Sequence, residues 1–315
     1  MPRPRRVLVQ RSETPYYHCV ARCVRRAFLC GQDTVTGRCY EHRRMWLVER
    51  LHLVASVFTI DLCAYAVMHN HYHIVVKLGC SQNLTDEEVI TRWMGLYQGP
   101  LLMQKYRNGD TLSAAQLTTV KSIIQVWRGR LESLSWFMKC LNEPIARQAN
   151  AEDQCTGHFW ESRFKSQALA SEQALLACMA YVDLNPVRAC MADSPEDSDY
   201  TSLQERLKAP VNRKIHSALA KAHGSLFEVL PIKPLLHFSD QRQKSGTSEN
   251  GIPFPFREYL HLVDWTGRQI RIGKRGAIGG SLPPILERLA FEEGQWMTKA
   301  LGFEKVRLRR RCTAP

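Results

Sequence analysis

A predicted β-hairpin constrains the fold of this 315-residue chain more than any other feature of the sequence. Residues 59–67 and 71–78 are two runs rich in β-branched and aromatic side chains, and Met68-His69-Asn70 separates them. Two such runs joined by a short polar segment predict a pair of antiparallel strands. The fold is therefore expected to contain an antiparallel sheet built around this hairpin.

The second strand of the hairpin separates apolar from polar side chains. Side chains two residues apart share a face of a strand, so Tyr72, Ile74 and Val76 can face a helical core. His71 and His73 then lie together on the opposite face. Neutral imidazoles paired in this way are common ligands of a divalent cation. An isolated His-x-His pair is more often two histidines that only pack and form hydrogen bonds.

The remaining patterns place helices around the hairpin. Alternation predicts a strand at residues 16–24, and apolar residues at three-to-four spacing predict a helix at 40–57. Helical patterns dominate residues 86–148, a strand is predicted at 157–169, and a helix begins near Ser171, a favourable N-cap. This order of elements predicts an α+β fold with a ferredoxin-like antiparallel sheet and helices.

Composition and turn residues predict how the chain is divided. We expect the α+β domain at residues 1–195, a helical connector at 196–238, a linker at 239–254 and a small basic helical region at 255–315, with a helix at 282–301. No apolar run reaches the length of a membrane span, and no apolar segment follows the N-terminal arginines. The sequence therefore predicts a cytoplasmic protein.

The net charge of +13 is concentrated at the two ends of the sequence. Residues 1–60 contain 11 basic and 4 acidic side chains, residues 266–315 contain the same numbers, and the centre is almost balanced. Basic flanks suit a polyanion such as nucleic acid, through contacts with phosphates. The same pattern would also arise from a solvated basic surface or from basic tails without a specific role.

A second polar pair lies about a hundred residues after the histidines. Tyr181 and Asn185 are four residues apart in a predicted helix, so both point about the same way. Asn185 offers an amide oxygen as a third cation ligand, and Tyr181 offers a phenol as a nucleophile. Taken alone, the pair is also compatible with a half-buried tyrosine and an asparagine that caps the helix before Pro186.

Three motifs in this order resemble the REP-associated tyrosine transposases, which belong to the HUH single-tyrosine transposases. They are MHNHYH at residues 68–73, GHFWESRFKS at 157–166 and YVDLNPVRA at 181–189. The resemblance covers about residues 14–195. It implies the HUH endonuclease fold for this part of the chain. Many relatives have proline where this sequence has His69, so a site of three alternating histidines also stays open.

The resemblance implies roles for individual residues. His71, His73 and Asn185 would bind Mg2+ or Mn2+, and Tyr181 would be the catalytic nucleophile. The implied activity is that of a single-stranded DNA endonuclease and strand transferase, which cuts near hairpin-forming, REP-like palindromes through a 5′-phosphotyrosine intermediate. We expect the protein to act as a monomer, although some single-tyrosine relatives are dimers.

Four basic residues are predicted to contact the DNA strand: Arg22, Arg163, Lys165 and Arg188. Each of them alone is also typical of an ordinary surface cation. Two other functions remain open. One is a domesticated DNA-binding regulatory protein that has no catalytic activity, and the other is a hydrolase in which a metal ion activates water.

Overall fold

The computed structural model describes residues 14–24, 29–33, 37–240 and 251–269. The predicted helix at 282–301 and the terminal arginines lie outside these residues. In chain order, the elements are β1 (Tyr16–Arg22), α1 (His42–Val57), β2 (Ile60–Val67), β3 (His71–Leu78), α2 (Asp86–Met94), α3 (Leu101–Arg107), α4 (Ala114–Leu131), α5 (Leu134–Glu152), β4 (Lys165–Ala168), α6 (Glu172–Asp183), α7 (Asn185–Arg188), α8 (Ser202–Leu207), α9 (Ala209–Phe227) and α10 (Phe256–Arg268).

The strands form a four-stranded sheet in the order β2-β3-β1-β4, and every neighbouring pair is antiparallel. Helix α1 connects β1 to β2, and helices α2 to α5 connect β3 to β4. This is the β-α-β-β-α-β pattern of ferredoxin-like folds. The predicted α+β class, hairpin and antiparallel sheet are confirmed.

One face of the sheet, which we call the core face, carries Tyr72, Ile74 and Val76 of β3. Helices α1 and α5 cover it, and their apolar side chains form one buried cluster with the strand residues. The cluster includes the edge-to-face ring pair Phe58 and Phe137. Tyr72 donates a hydrogen bond of 2.6 Å from its hydroxyl to Asn142 of α5, so its one polar atom is satisfied at the edge of the apolar layer.

The opposite face, which we call the site face, carries His71, His73 and Val75. Helix α6 lies on it and packs against the small side chains Ala64 and Ala66 of β2 as well as Val75. Every residue of α6 from 175 to 183 is buried, because α10 covers its other side. Only a helix that is apolar almost all round tolerates such a position.

The predicted strand at residues 157–169 is wrong over its first half, since β4 begins only at Lys165. Phe159 and Trp160 are consecutive, yet both pack against the core-face cluster. A regular strand would place them on opposite faces, so residues 157–164 do not continue the regular pairing of β4 with β1. An isolated bridge between Cys23 and Trp160 keeps this segment beside the end of β1.

The described residues after 195 include helices that pack on both faces of the sheet. Ile215 and Leu219 of α9 belong to the core-face cluster, and Tyr259 and Leu262 of α10 belong to the cluster around α6. The predicted domain boundaries at residues 195, 238 and 254 remain predictions. Within the part of the chain that the structure describes, no helix combines the length and the apolar character needed to cross a membrane.

Candidate functional site

The pairing of β1 with β3 builds the floor of the candidate site. Val20 lies opposite His73, and Arg22 lies opposite His71. Residues that are directly opposite in an antiparallel pair point to the same side, so β1 also contributes His18 to the site face. His18 was not among the site residues predicted from the sequence.

Three imidazoles are in contact on the site face. The rings of His71 and His73 have centroids 4.9 Å apart, and those of His73 and His18 are stacked at 5.2 Å. A hydrogen bond of 3.0 Å joins Nε2 of His18 to Nδ1 of His73. His73 is 1% exposed and His18 is 5% exposed, whereas His71 is half-buried. The histidines therefore extend from the edge of the site into the interior.

Helix α6 places Tyr181 directly over these rings. The ring centroid of Tyr181 lies 5.5 Å from that of His73 and 6.2 Å from that of His18, and both contacts are edge to face. Tyr181 is 2% exposed. The structure thus brings the predicted nucleophile together with the predicted histidine pair, although the two are about a hundred residues apart in the sequence.

Asn185 lies one turn after Tyr181, as the sequence indicated. Its Nδ2 donates a hydrogen bond of 2.9 Å to the carbonyl oxygen of Tyr181, and the side chain is half-buried. This bond leaves Oδ1 as the atom with which Asn185 could bind a cation. Pro186 does not end the helical path: Leu184 keeps a helical backbone, and Pro186 lies in the first turn of α7, where a missing N–H is tolerated.

Asp183 fixes the end of α6 from its other side. This buried carboxylate accepts hydrogen bonds from the hydroxyls of Ser202 and Tyr259, each at 2.6 Å, and from the backbone N–H of Leu203 at 3.2 Å. Desolvation by burial raises the pKa of Asp183, and the hydrogen bonds partly oppose that shift. Elements α8 and α10 therefore hold the helix end that carries Tyr181.

Three of the four predicted DNA-contacting residues lie near this site. Arg22 is on the site face, and Lys165 lies opposite Val20 at the exposed edge of the sheet. The guanidinium of Arg188 is 5.6 Å from the ring centroid of Tyr181. Arg163 is exposed and instead lines a groove of about 830 Å³ between α5 and residues 157–164.

The donors on the site face suit a cation of the predicted kind. Two imidazoles and an amide oxygen are compatible with Mg2+ or Mn2+, with water or substrate completing the coordination. The Nδ1 atom of His71 is 2.7 Å from Oδ1 of Asn70, and Nδ1 of His73 is bonded to His18. Partners on this ring nitrogen orient a histidine so that it can bind a metal through Nε2.

A site of three alternating histidines does not form. His69 is exposed in the hairpin turn, and its ring packs against Gly31, where a β-carbon would lie 2.9 Å from Cδ2. The strand begins only at His71, so strand alternation does not extend to His69. Among the described residues, no group of three or more His, Cys, Asp or Glu side chains could hold a metal ion.

The sequence matches no protein-family model and no curated protein. Among solved structures, the chain is similar to a REP-associated tyrosine transposase bound to a REP hairpin, with a TM-score of 0.34 and 13% sequence identity. The match covers 65% of this chain and 84% of that chain. The similarity to this structure is therefore distant.

Proposed function

We propose that the protein is a metal-dependent single-stranded DNA endonuclease and strand transferase, in which Tyr181 is the nucleophile. One observation carries the proposal. The phenol ring of Tyr181 packs against His73, the buried member of the His-x-His pair. Tyr181 packs within the apolar cluster around α6, but its ring also contacts His73 and His18, and a phenol beside imidazoles suits attack on a phosphodiester.

His71, His73 and Asn185 would hold the Mg2+ or Mn2+ ion. When bound, the ion would supply Lewis-acid stabilisation of a non-bridging phosphate oxygen. The side chains around it have distinct tasks. His73 and Tyr181 are fixed by burial between the sheet and α6, and Arg188 offers a positive charge to a phosphate held beside Tyr181.

The covalent step is a transesterification. Oη of Tyr181 forms a bond to phosphorus and releases its phenolic proton, while the bond between phosphorus and the 3′ oxygen breaks. The leaving 3′ oxygen takes up a proton and becomes a free 3′-hydroxyl. The DNA remains attached through a 5′-phosphotyrosine, which conserves the ester for later strand joining without ATP.

The graded burial of the site favours a flexible substrate. His73 and Tyr181 are almost inaccessible, whereas His71, Arg22, Asn185 and Arg188 are half-buried and form the rim from which a phosphate would enter. A single strand can bend its backbone into such a site more easily than a duplex can. We therefore propose single-stranded DNA as the substrate, and the resemblance of the motifs favours a strand beside REP-like hairpins.

A trapping experiment tests this proposal. The protein is incubated with Mn2+ and a pool of hairpin oligonucleotides whose single-stranded flanks are randomised, and the products are separated under denaturing conditions. We expect a DNA-protein adduct that survives denaturation and does not form in EDTA. Absence of any adduct, or cleavage that releases only free ends, would contradict the proposal and favour a binding protein or a hydrolase respectively.

The matched variants are Tyr181→Phe and Tyr16→Phe. Tyr16 lies on the same sheet face, two residues before His18, so its variant controls for the loss of a nearby phenol. The adduct should disappear in Tyr181→Phe and persist in Tyr16→Phe. Unchanged adduct formation in Tyr181→Phe would refute the assigned nucleophile.

A further inference from the structure

We propose that His18 is a positioning residue for the cation site: its Nε2 accepts the Nδ1–H of His73 and so holds His73 in the tautomer whose Nε2 carries a lone pair. This inference rests on the proposed function, because it assigns His73 as a cation ligand. It concerns a residue outside the motifs that suggested the activity.

The support for this role is the geometry of the pair. The two rings are stacked with an interplanar angle of 8°, and 3.0 Å separates Nε2 of His18 from Nδ1 of His73. Both side chains are buried on the site face, and the register of β1 against β3 fixes their relative positions along the strands. A hydrogen bond between buried groups in such fixed elements restricts the rotation of the His73 ring.

The direction of the bond decides which nitrogen of His73 carries its lone pair. In a bond between two neutral imidazoles, one ring donates and the other accepts. If His73 donates from Nδ1, its Nε2 has the lone pair that a cation needs. If His18 donates instead, neutral His73 carries its proton on Nε2 and cannot bind a cation through that nitrogen.

His71 also has a hydrogen-bond partner on its Nδ1. Its Nδ1 lies 2.7 Å from Oδ1 of Asn70, an oxygen that can only accept a hydrogen bond. Neutral His71 in this bond donates from Nδ1 and carries its lone pair on Nε2. With His18 as the acceptor for His73, both predicted ligands have the same tautomer, each set by one partner on Nδ1.

His18 itself does not act as a third ligand in this arrangement. Its Nε2 is bonded to His73. It lies opposite Val75, two residues along β3 from His73. The described residues contain no group of three or more His, Cys, Asp or Glu side chains that could hold a metal ion. Its contribution is therefore to orient His73.

Two substitutions test the role through cation binding. His18→Leu fills the space but cannot accept a hydrogen bond, whereas His18→Gln offers an amide oxygen to the Nδ1–H of His73. Mn2+ affinity is measured by electron paramagnetic resonance of the free ion, without DNA. We expect His18→Leu to weaken Mn2+ binding by about 10- to 100-fold and His18→Gln to recover most of that loss.

The tautomer is measured directly in the metal-free protein by long-range nitrogen-proton correlation of labelled histidines. His73 should show a protonated Nδ1 and an unprotonated Nε2, and His18→Leu should disturb this state. Val20→Ala, a change on the same face of the same strand, controls for altered packing, and thermal unfolding shows that each variant is folded.

The outcomes separate this inference from the proposed function. A protonated Nε2 in metal-free His73, or Mn2+ affinity unchanged in folded His18→Leu, would overturn the role of His18 whether or not the DNA adduct forms. Correct tautomers and weakened Mn2+ binding without any adduct would support His18 while contradicting the proposed reaction.

Discussion

The two faces of one sheet differ in what their side chains do. On the core face, Ile74 and Tyr72 lie in the apolar cluster that includes side chains of α1 and α5, and the hydroxyl of Tyr72 bonds to Asn142. On the site face, His73 contacts two other histidines and a tyrosine. Adjacent residues of the same strand thus serve opposite purposes.

This difference shows how strand alternation can place an apolar layer on one face of a sheet and the proposed site on the other. The core face excludes water over a wide apolar layer, and burial of apolar surface is the dominant favourable contribution to folding. The site face carries three imidazoles beside the apolar residues that pack against α6, so polar rings and apolar packing share that face. Predictions that compare neighbouring residues across the sheet test this division.

The largest effect is expected for His73→Gln. Glutamine retains most of the volume and can still bond to His18, so the protein should stay folded, but it is a poor substitute for an imidazole ligand. Mn2+ affinity should fall by at least about 100-fold, which is more than the loss expected for His18→Leu. Adduct formation should fall with it. Wild-type Mn2+ affinity in this variant would remove His73 from the cation site.

Ile74→Ala, one residue further along β3, should lower stability and leave Mn2+ affinity unchanged. Truncating this fully buried side chain should lower the free energy of unfolding by about 2–5 kcal/mol, measured by urea denaturation. Mn2+ affinity of the molecules that remain folded should be unchanged. A large loss of Mn2+ affinity without loss of stability would contradict the division between the two faces.

Tyr259→Phe tests whether α10 stabilises the end of α6, the helix that covers the site face. The substitution removes the hydroxyl that donates to the buried carboxylate of Asp183, so the free energy of unfolding should fall by about 1–3 kcal/mol. Tyr106→Phe, at a more exposed tyrosine, should change it by less than about 0.5 kcal/mol. Equal effects in the two variants would mean that α10 does not stabilise the end of α6.

The smallest effect is expected for Lys165→Ala at the exposed edge of the site face. If Lys165 contacts one phosphate, the variant should bind single-stranded DNA somewhat more weakly, and the slope of log affinity against log salt should become shallower by about 1. Lys139→Ala, on α5, is the comparison for a lysine of the core-face side. An identical change in slope for both variants would show that the two faces contribute equally to DNA binding.

Local patterns predicted much of the fold. The hairpin, α1 and the start of α6 follow from alternation, three-to-four spacing and the Ser171 cap, whose side chain accepts a hydrogen bond from Ala174 N–H. The pairing of Tyr181 with the histidines required family motifs, because nothing local brings residues so far apart in sequence together. The structure places them in contact, as the motifs implied.

What the sequence did not predict depends on contacts between distant segments. His18 acquires its position from the register of β1 against β3, which no local pattern specifies. Its alternation with Val20 and Arg22 was visible and would have signalled a third histidine on the site face once the strand pairing was assumed. The bonds of Asp183 to Ser202 and Tyr259 likewise link segments up to 76 residues apart.

The most direct test of the central claim is mass spectrometry of the peptide trapped on DNA. The claim is that the tyrosine of α6 forms the covalent bond with DNA at the histidine pair. We predict that proteolysis of the Mn2+-dependent adduct yields a peptide containing Tyr181, with the 5′ phosphate of the cut strand on its phenolic oxygen. A phosphate on any other residue, or cut DNA with unattached 5′ ends, would contradict the claim.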